Sequence, residues 1–159
     1  MYKNQKILGI VPARGGSKGL PRKNIKELMG LPLIEFTISS ARASMYLDEV
    51  FVSTDDEEIA DVAAKVGCRP PILRPSRYAE DSSPSYEAVL HALDYFESVG
   101  RTFDYVALLE PTSPLRKLDD IDNALELLLS DPGIPSLVSV GEVRTEHPLI
   151  IKKLDASGF

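Results

Sequence analysis

The apolar run Ile7–Ile10 empties without a break into Val11-Pro12-Ala13-Arg14-Gly15-Gly16-Ser17-Lys18-Gly19-Leu20-Pro21-Arg22-Lys23-Asn24, and few folds accommodate that junction. A strand that is apolar on both faces belongs inside a parallel sheet. The loop after it has the opposite character. Its glycines let the backbone approach an anion and turn N–H groups inward, and Arg14, Lys18, Arg22 and Lys23 place four cations within ten residues. Three glycines alone would be satisfied by a solvated turn. Four cations in a chain of formal net charge −6 point instead to anion binding, and in an α/β chain to phosphate.

Two widespread phosphate motifs do not fit. The P-loop requires Gly-Lys-Ser/Thr after its second glycine, whereas Leu20 and Pro21 follow Gly19. The dinucleotide fingerprint requires Gly-x-Gly-x-x-Gly opening a helix; Gly15, Gly16 and Gly19 are spaced differently, and Pro21 removes a backbone donor. The stretch resembles the opening of the cytidylyltransferases that activate sialic acids and related nonulosonic acids, Ala-Arg-x-x-Ser-Lys-Gly-Leu-Pro-x-Lys-Asn. Ala13, Arg14, Ser17, Lys18, Gly19, Leu20, Pro21, Lys23 and Asn24 all match it. About ninety residues on, Leu109-Glu110-Pro111-Thr112-Ser113-Pro114-Leu115-Arg116 resembles the family's second string, Leu-Gln/Glu-Pro-Thr-Ser-Pro-Leu-Arg. A third, looser match joins Leu73-Arg74-Pro75 to Asp81-Ser82-Ser83-Pro84-Ser85.

The composition agrees with a single soluble domain spanning 1–159: 43% of residues are hydrophobic and 26% charged, and no apolar run approaches the ~20 residues of a membrane helix. The acidic balance argues against a nucleic-acid surface, and the polar start lacks a signal peptide's pattern, so cytoplasmic location is the default expectation. The single cysteine, Cys68, excludes an internal disulfide and reads as buried filler.

Strand and helix alternate along the chain. Strands are expected at Lys6–Ala13, Val50–Thr54, briefly at Ile72–Leu73, then at Tyr105–Leu109, Ser136–Val140 and Leu149–Leu154. Ile25–Leu31 reads as short and irregular. Helices are expected from Pro32 to about Ala43, after a cap at Thr54 or Asp55 as far as Gly67, from Pro84 to Gly100, and after Asp119 or Asp120. This order predicts a doubly wound, mostly parallel α/β sheet of the Rossmann-like, nucleotide-diphospho-sugar transferase kind. Asp55 and Asp56 read as helix caps rather than nucleotide or metal contacts. His91 reads as structural, His147 as a turn residue in a segment resembling the family's Glu-His-Pro, and Asp119, Asp120 and Asp122 as an acidic helix start.

The resemblance implies the site. Arg14, Lys18 and Lys23 would carry the charge work at the triphosphate of CTP. Ala13, Ser17 and the Gly15 and Gly16 amides would support it, and Asn24, Arg74 and Ser85 would contact the nucleoside. Glu110, Pro111, Thr112, Ser113 and Arg116 would wall the sugar. Sialic-acid enzymes often have Gln where this chain has Glu110, which leaves the identity of the sugar open. The resemblance further implies Mg²⁺ as cofactor, CTP and a nonulosonic acid as partners, and a homodimer at full length. It covers the first two-thirds of a family member, and the family's Asp-x-Asp metal ligands and dimer-forming element belong to the remainder, so metal ligands cannot be named from these residues. Another sugar nucleotidyltransferase, or a non-catalytic nucleotide-binding module, stands as the alternative.

Overall fold

The computed structural model describes residues 4–131 and 133–140. In chain order the elements are β1 (Ile7–Pro12), a minimal hairpin of β2 (Glu27–Leu28) and β3 (Leu31–Pro32), α1 (Leu33–Ala43), β4 (Glu49–Ser53), α2 (Glu57–Lys65), α3 (Ser85–Ser98), β5 (Tyr105–Leu108) and α4 (Asp120–Ser130). β1 is the centre of a three-stranded sheet of order β4-β1-β5, parallel throughout.

Alternation along β1 decides which helices lie on which face. Ile7 and Val11 join Val52, Ile34, Ile38, Ala41, Ile59, Ala63, Ile121 and Leu125 in one core, so α1, α2 and α4 share that side. Leu8 and Ile10 turn the other way and meet Phe51, Ala92 and Phe96, which puts α3 alone on the opposite side. That smaller core is aromatic: Phe96 packs edge-on against Phe51, Tyr95 and Phe103, with centroids 5.6, 5.3 and 5.0 Å away. Helices cover both faces, so the expected doubly wound α/β architecture is the observed one.

Several local readings need correction. Ile25–Leu31 contains the β2–β3 hairpin, with Gly30 at φ 84° in its turn. Ile72–Leu73 is irregular; it follows the end of β4 only as far as the Arg74 N–H, which donates to the Thr54 carbonyl at 2.7 Å. Ser136–Val140 has no strand pairing, and the expected strand at Leu149–Leu154 and His147 lie outside the described residues. The cap of α2 is Asp56 rather than Thr54 or Asp55: its carboxylate accepts from the Glu58 and Ile59 amides, while the Thr54 hydroxyl accepts from the Asp56 amide.

Asp122 stands in the acidic first turn of α4 as expected, and does more there. It is buried inside the first turn of α4 and reaches back across the chain, accepting from the Ser44 hydroxyl and, at 3.0 Å, from the Met45 amide. It therefore fastens α4 to the turn between α1 and β4. Asp122→Ala would remove both bonds of this buried carboxylate and leave the Ser44 hydroxyl and Met45 amide without their acceptor, and the expected loss is about 1–3 kcal/mol, or several degrees in Tm. Asp119→Ala serves as control, because the Asp119 side chain makes no cap bond. Equal melting temperatures for the two variants would exclude the tether.

Cys68 is buried beside the β4 backbone, its Sγ 3.4 Å from the Val50 carbonyl, and loss of hydration pushes its thiol up to about 11. At pH 8 only roughly one molecule in a thousand holds the thiolate, so alkylation by iodoacetamide should be slow in the native protein and fast after denaturant is added. Rapid native labelling would contradict this burial.

Candidate functional site

The loop after β1 is held at both ends. At its start, the Ala13 amide extends the sheet by donating to the Ser53 carbonyl at 2.9 Å, and the Gly15 amide donates to Asp55 Oδ1 at 3.0 Å. A Cβ on Gly15 would lie 2.4 Å from Asp56 Oδ2, so only glycine lets the backbone pass this close to the α2 cap. At its far end, Arg22 takes a left-handed conformation (φ 57°). It grips Asp56 through two hydrogen bonds, of 2.5 and 3.2 Å, and also pairs with Glu58. Lost hydration raises the Asp56 carboxyl, but the Arg22 hydrogen bond leads the contacts that bring it below its ordinary range. Asn24, 5% exposed, donates from Nδ2 to the Arg14 carbonyl at 3.0 Å and folds the loop back on its own beginning.

Two expectations change as a result. The charge of Arg22 is committed to α2, not offered to a ligand. Of the two glycine amides expected to meet phosphate, that of Gly15 is already engaged. The amides of Gly16, Lys18 and Gly19 donate to no acceptor among the described residues, and a Cβ built on Gly16 or Gly19 meets nothing within 4 Å. The middle of the loop therefore presents free donors to open space, beside the side chains of Arg14 and Lys18.

That space is a cleft of about 500 Å³. Arg14, Ser17, Lys18, Lys23 and Asn24 line one side. Arg74, the segment from Tyr78 to Asp81, and Ser83 to Ser85 line another, and Glu110, Pro111 and Thr112 close it. The middle part leads into α3, and the first and last parts follow the carboxyl ends of β1 and β5, adjacent strands on either side of the point where strand order reverses. This is where an open α/β sheet binds its ligand.

Two ionisable groups of the cleft, those of Arg74 and Glu110, are poorly hydrated, unlike the exposed ammonium of Lys18. Arg74 is 7% exposed and its Nε has no partner; burial lowers its pKa, opposed by Asp55 and reinforced by Arg14. Glu110 is exposed as a residue, yet lost hydration around its carboxyl raises its pKa, a push opposed first by Lys23 and then by Arg74. His91, half-buried on α3, is held below its usual pKa by burial and then by Arg74, and its Nδ1 is unpartnered.

Of the residues expected to serve the nucleotide, Arg14, Ser17, Lys18, Lys23, Asn24, Arg74 and Ser85 share the cleft, whereas Ala13, Gly15 and Gly16 shape the loop behind it. Of the expected sugar wall, Glu110, Pro111 and Thr112 reach the cleft. Ser113 and Arg116 do not line it; the Ser113 amide closes a turn onto the Glu110 carbonyl at 3.2 Å. Of the cleft residues absent from the expected site, such as Tyr78, Glu80 and Asp81, Asp81 has direct ion pairs to expected ones. Asp81 bridges Arg14 at 2.6 Å and Lys18 at 2.5 Å. Its Asp-Ser-Ser-Pro-Ser context was visible in the sequence, but nothing local to it reveals an opposing pair of cations more than sixty residues earlier.

Comparison with known proteins agrees with this geometry. The family model for cytidylyltransferases matches residues 8–148. The CMP-N,N'-diacetyllegionaminic acid synthase of Legionella pneumophila is 45% identical over 153 residues, covering 96% of this chain and 65% of that protein. The pseudaminic acid cytidylyltransferase of Campylobacter jejuni is 40% identical over 126 residues, covering 79% of this chain and 54% of its own length. The N-acylneuraminate cytidylyltransferase of Escherichia coli is 38% identical over 151 residues, covering 94% and 34%. The chain thus spans between about a third and two-thirds of these relatives. Among solved structures, CMP:2-keto-3-deoxy-manno-octonic acid synthetase complexed with CTP superposes with a TM-score of 0.68 at 23% identity, over 80% of this chain and 49% of that one. A cytidylyltransferase from Leptospira borgpetersenii gives 0.62 at 25% identity, over 82% and 51%. Sequence motifs, sheet topology, cleft and relatives converge, and the chain belongs to the cytidylyltransferase family.

Proposed function

We propose that this chain forms the nucleotide-binding part of an enzyme that joins CTP to a sialic-acid-type nonulosonic acid, releasing pyrophosphate and the CMP-sugar. The observation that carries this reading is the shared cleft. Arg14, Lys18, Gly19 and Lys23 after β1 line one cleft with Glu110, Pro111 and Thr112 after β5, so a triphosphate and an acceptor sugar would meet between them.

In this reading the sugar's anomeric hydroxyl oxygen attacks the α-phosphorus. A new P–O bond forms, the bond to the β-phosphate oxygen breaks, and the hydroxyl proton is released. No covalent enzyme intermediate is required, so the protein's work is positioning and charge stabilisation. Arg14 and Lys18, with the Lys18 and Gly19 amides, would hold the phosphates, and Ser17 and Lys23 would add a hydrogen bond and a charge. Arg74 and Ser85 would face the base from the α3 side, and Asn24 holds the loop in shape. Glu110, Pro111 and Thr112 would face the sugar; a carboxylate there accepts hydrogen bonds but donates none while ionised.

Mg²⁺, a homodimer and a cytoplasmic location belong to the same proposal. Mg²⁺ commonly uses one or two carboxylates together with substrate phosphates. Among the described residues no group of three or more His, Cys, Asp or Glu side chains could hold a metal ion, so these residues do not make a metal site by themselves. No described helix is long and apolar enough to cross a membrane.

The test is pyrophosphate release by the intact protein with CTP, UTP or ATP against N-acetylneuraminic, N,N'-diacetyllegionaminic and pseudaminic acids, with and without Mg²⁺. Release confined to CTP plus one of these acids is expected. CTP binding without turnover on any acid would leave only a nucleotide-binding module.

A further inference from the structure

Arg14 and Lys18, the two cations best placed for a polyphosphate, are both occupied by one carboxylate of the chain itself. Asp81 reaches Arg14 Nη2 with one oxygen (2.6 Å) and Lys18 Nζ with the other (2.5 Å). Neither cation has another ion pair among the described residues. The Lys18 hydrogen bond leads the contacts that hold the Asp81 carboxyl below its ordinary range. Asp81 sits in an irregular, exposed stretch between the short turn Ser76–Tyr78 and α3. Few bonds hold that stretch: the Ser83 amide to the Glu80 carbonyl (3.1 Å) and the Ser83 hydroxyl to the Arg77 carbonyl (3.0 Å). Meanwhile the free amides of Gly16, Lys18 and Gly19 remain unpaired beside the same cations. The cradle is half filled: its cations are neutralised and its backbone donors are not.

We propose that Asp81 is a built-in competitor for the phosphate site, a carboxylate that an incoming polyphosphate must displace from Arg14 and Lys18. The inference rests on the reading of this cleft as a nucleotide site. Two anions on one pair of cations repel each other, so binding a phosphate group and keeping the Asp81 bridge oppose one another. A polyphosphate, with more charge and more acceptor oxygens, displaces the carboxylate and also takes up the free amides. The apparent affinity of every ligand that needs the two cations is then reduced by the same factor, the fraction of molecules with Asp81 released, while a ligand without phosphate is unaffected. Asp81 thus sets how tightly the site holds phosphate without changing the order of preference among phosphate ligands.

The experiment measures equilibrium binding of inorganic pyrophosphate, CTP and cytidine to the intact protein by calorimetry, in EDTA and at fixed ionic strength. The variants are Asp81→Asn and, as a control for bulk charge outside the cleft, Glu97→Gln near the end of α3, with thermal melts to establish that both fold. Asp81→Asn should tighten pyrophosphate and CTP by a common factor of about five, on the scale of two exposed ion pairs, and leave cytidine unchanged. Glu97→Gln should change little. Unaltered or weaker pyrophosphate binding in Asp81→Asn, or an equal gain in Glu97→Gln, would overturn the inference. The two readings fail separately. If pyrophosphate tightens as expected but neither CTP nor cytidine binds selectively, the cytidine assignment falls and the competitor stands. If CTP binds well and Asp81→Asn leaves it unchanged, the reverse holds.

Discussion

Replacing Lys18 by alanine in the intact protein is expected to lower the turnover of CTP about a hundredfold, the usual cost of losing one preorganised donor at a centre of developing charge. The Lys18 side chain is 84% exposed and makes its ion pair with a partly exposed loop carboxylate, so nothing in the core depends on it. Stability should stay within about 0.5 kcal/mol of the parent, as for surface substitutions generally. The loss would then be chemical rather than structural, because in the proposed reaction negative charge would build on a departing pyrophosphate held by this ammonium. Lys18→Arg keeps the charge but moves it and should recover part of the rate. Parallel measurements of kcat and Tm decide the matter, and a Lys18→Ala enzyme with near-normal turnover would remove Lys18 from the mechanism.

The second large effect is expected at Arg74, where affinity and stability should separate. Its guanidinium is buried with Nε unpartnered, a condition that costs free energy in the unliganded protein. Its backbone role, the amide bond to the Thr54 carbonyl, survives any substitution other than proline. Arg74→Met fills similar space without the charge. CTP affinity should fall about tenfold to a hundredfold, in line with losing a buried charge-assisted hydrogen bond, while the melting temperature holds or rises. Calorimetry with CTP beside a thermal melt reads both. Unchanged CTP affinity would show that Arg74 belongs to the core and not to the ligand.

The frame of the molecule was legible because it is written locally. An uninterrupted apolar strand, helical stripes such as Ala88, Ala92 and Phe96, and Asp, Pro and Gly at the boundaries were enough to place β1, α1, α2 and α3. The cleft was legible for a related reason: ligands of a parallel sheet gather at strand ends, so the residues just after β1 and β5 had to be neighbours. The omissions and misreadings share another cause. Arg22 looked like one more phosphate cation until Asp56 and Glu58, more than thirty positions later, were found holding it. Asp122 does stand in the acidic start of α4, but its further bonds to Ser44 and Met45, nearly eighty positions earlier, were not legible. Charged side chains pair through space, and a pattern of 3.6 or 2 residues carries no record of such partners.

The double anchoring of the loop after β1 also bears on the entropy of binding. A free loop of this length would have to be frozen residue by residue when a ligand arrives, at roughly 1–2 kcal/mol for each backbone unit. With Gly15 fixed to Asp55 and Arg22 clasped by Asp56 and Glu58, much of that ordering is accomplished when the chain folds. Only the short span from Gly16 to about Pro21 is left to settle around an anion. Folding of α2 thereby sets the starting disorder of a loop more than thirty positions upstream, and loosening the first turn of that helix would weaken phosphate binding without altering any group that touches phosphate.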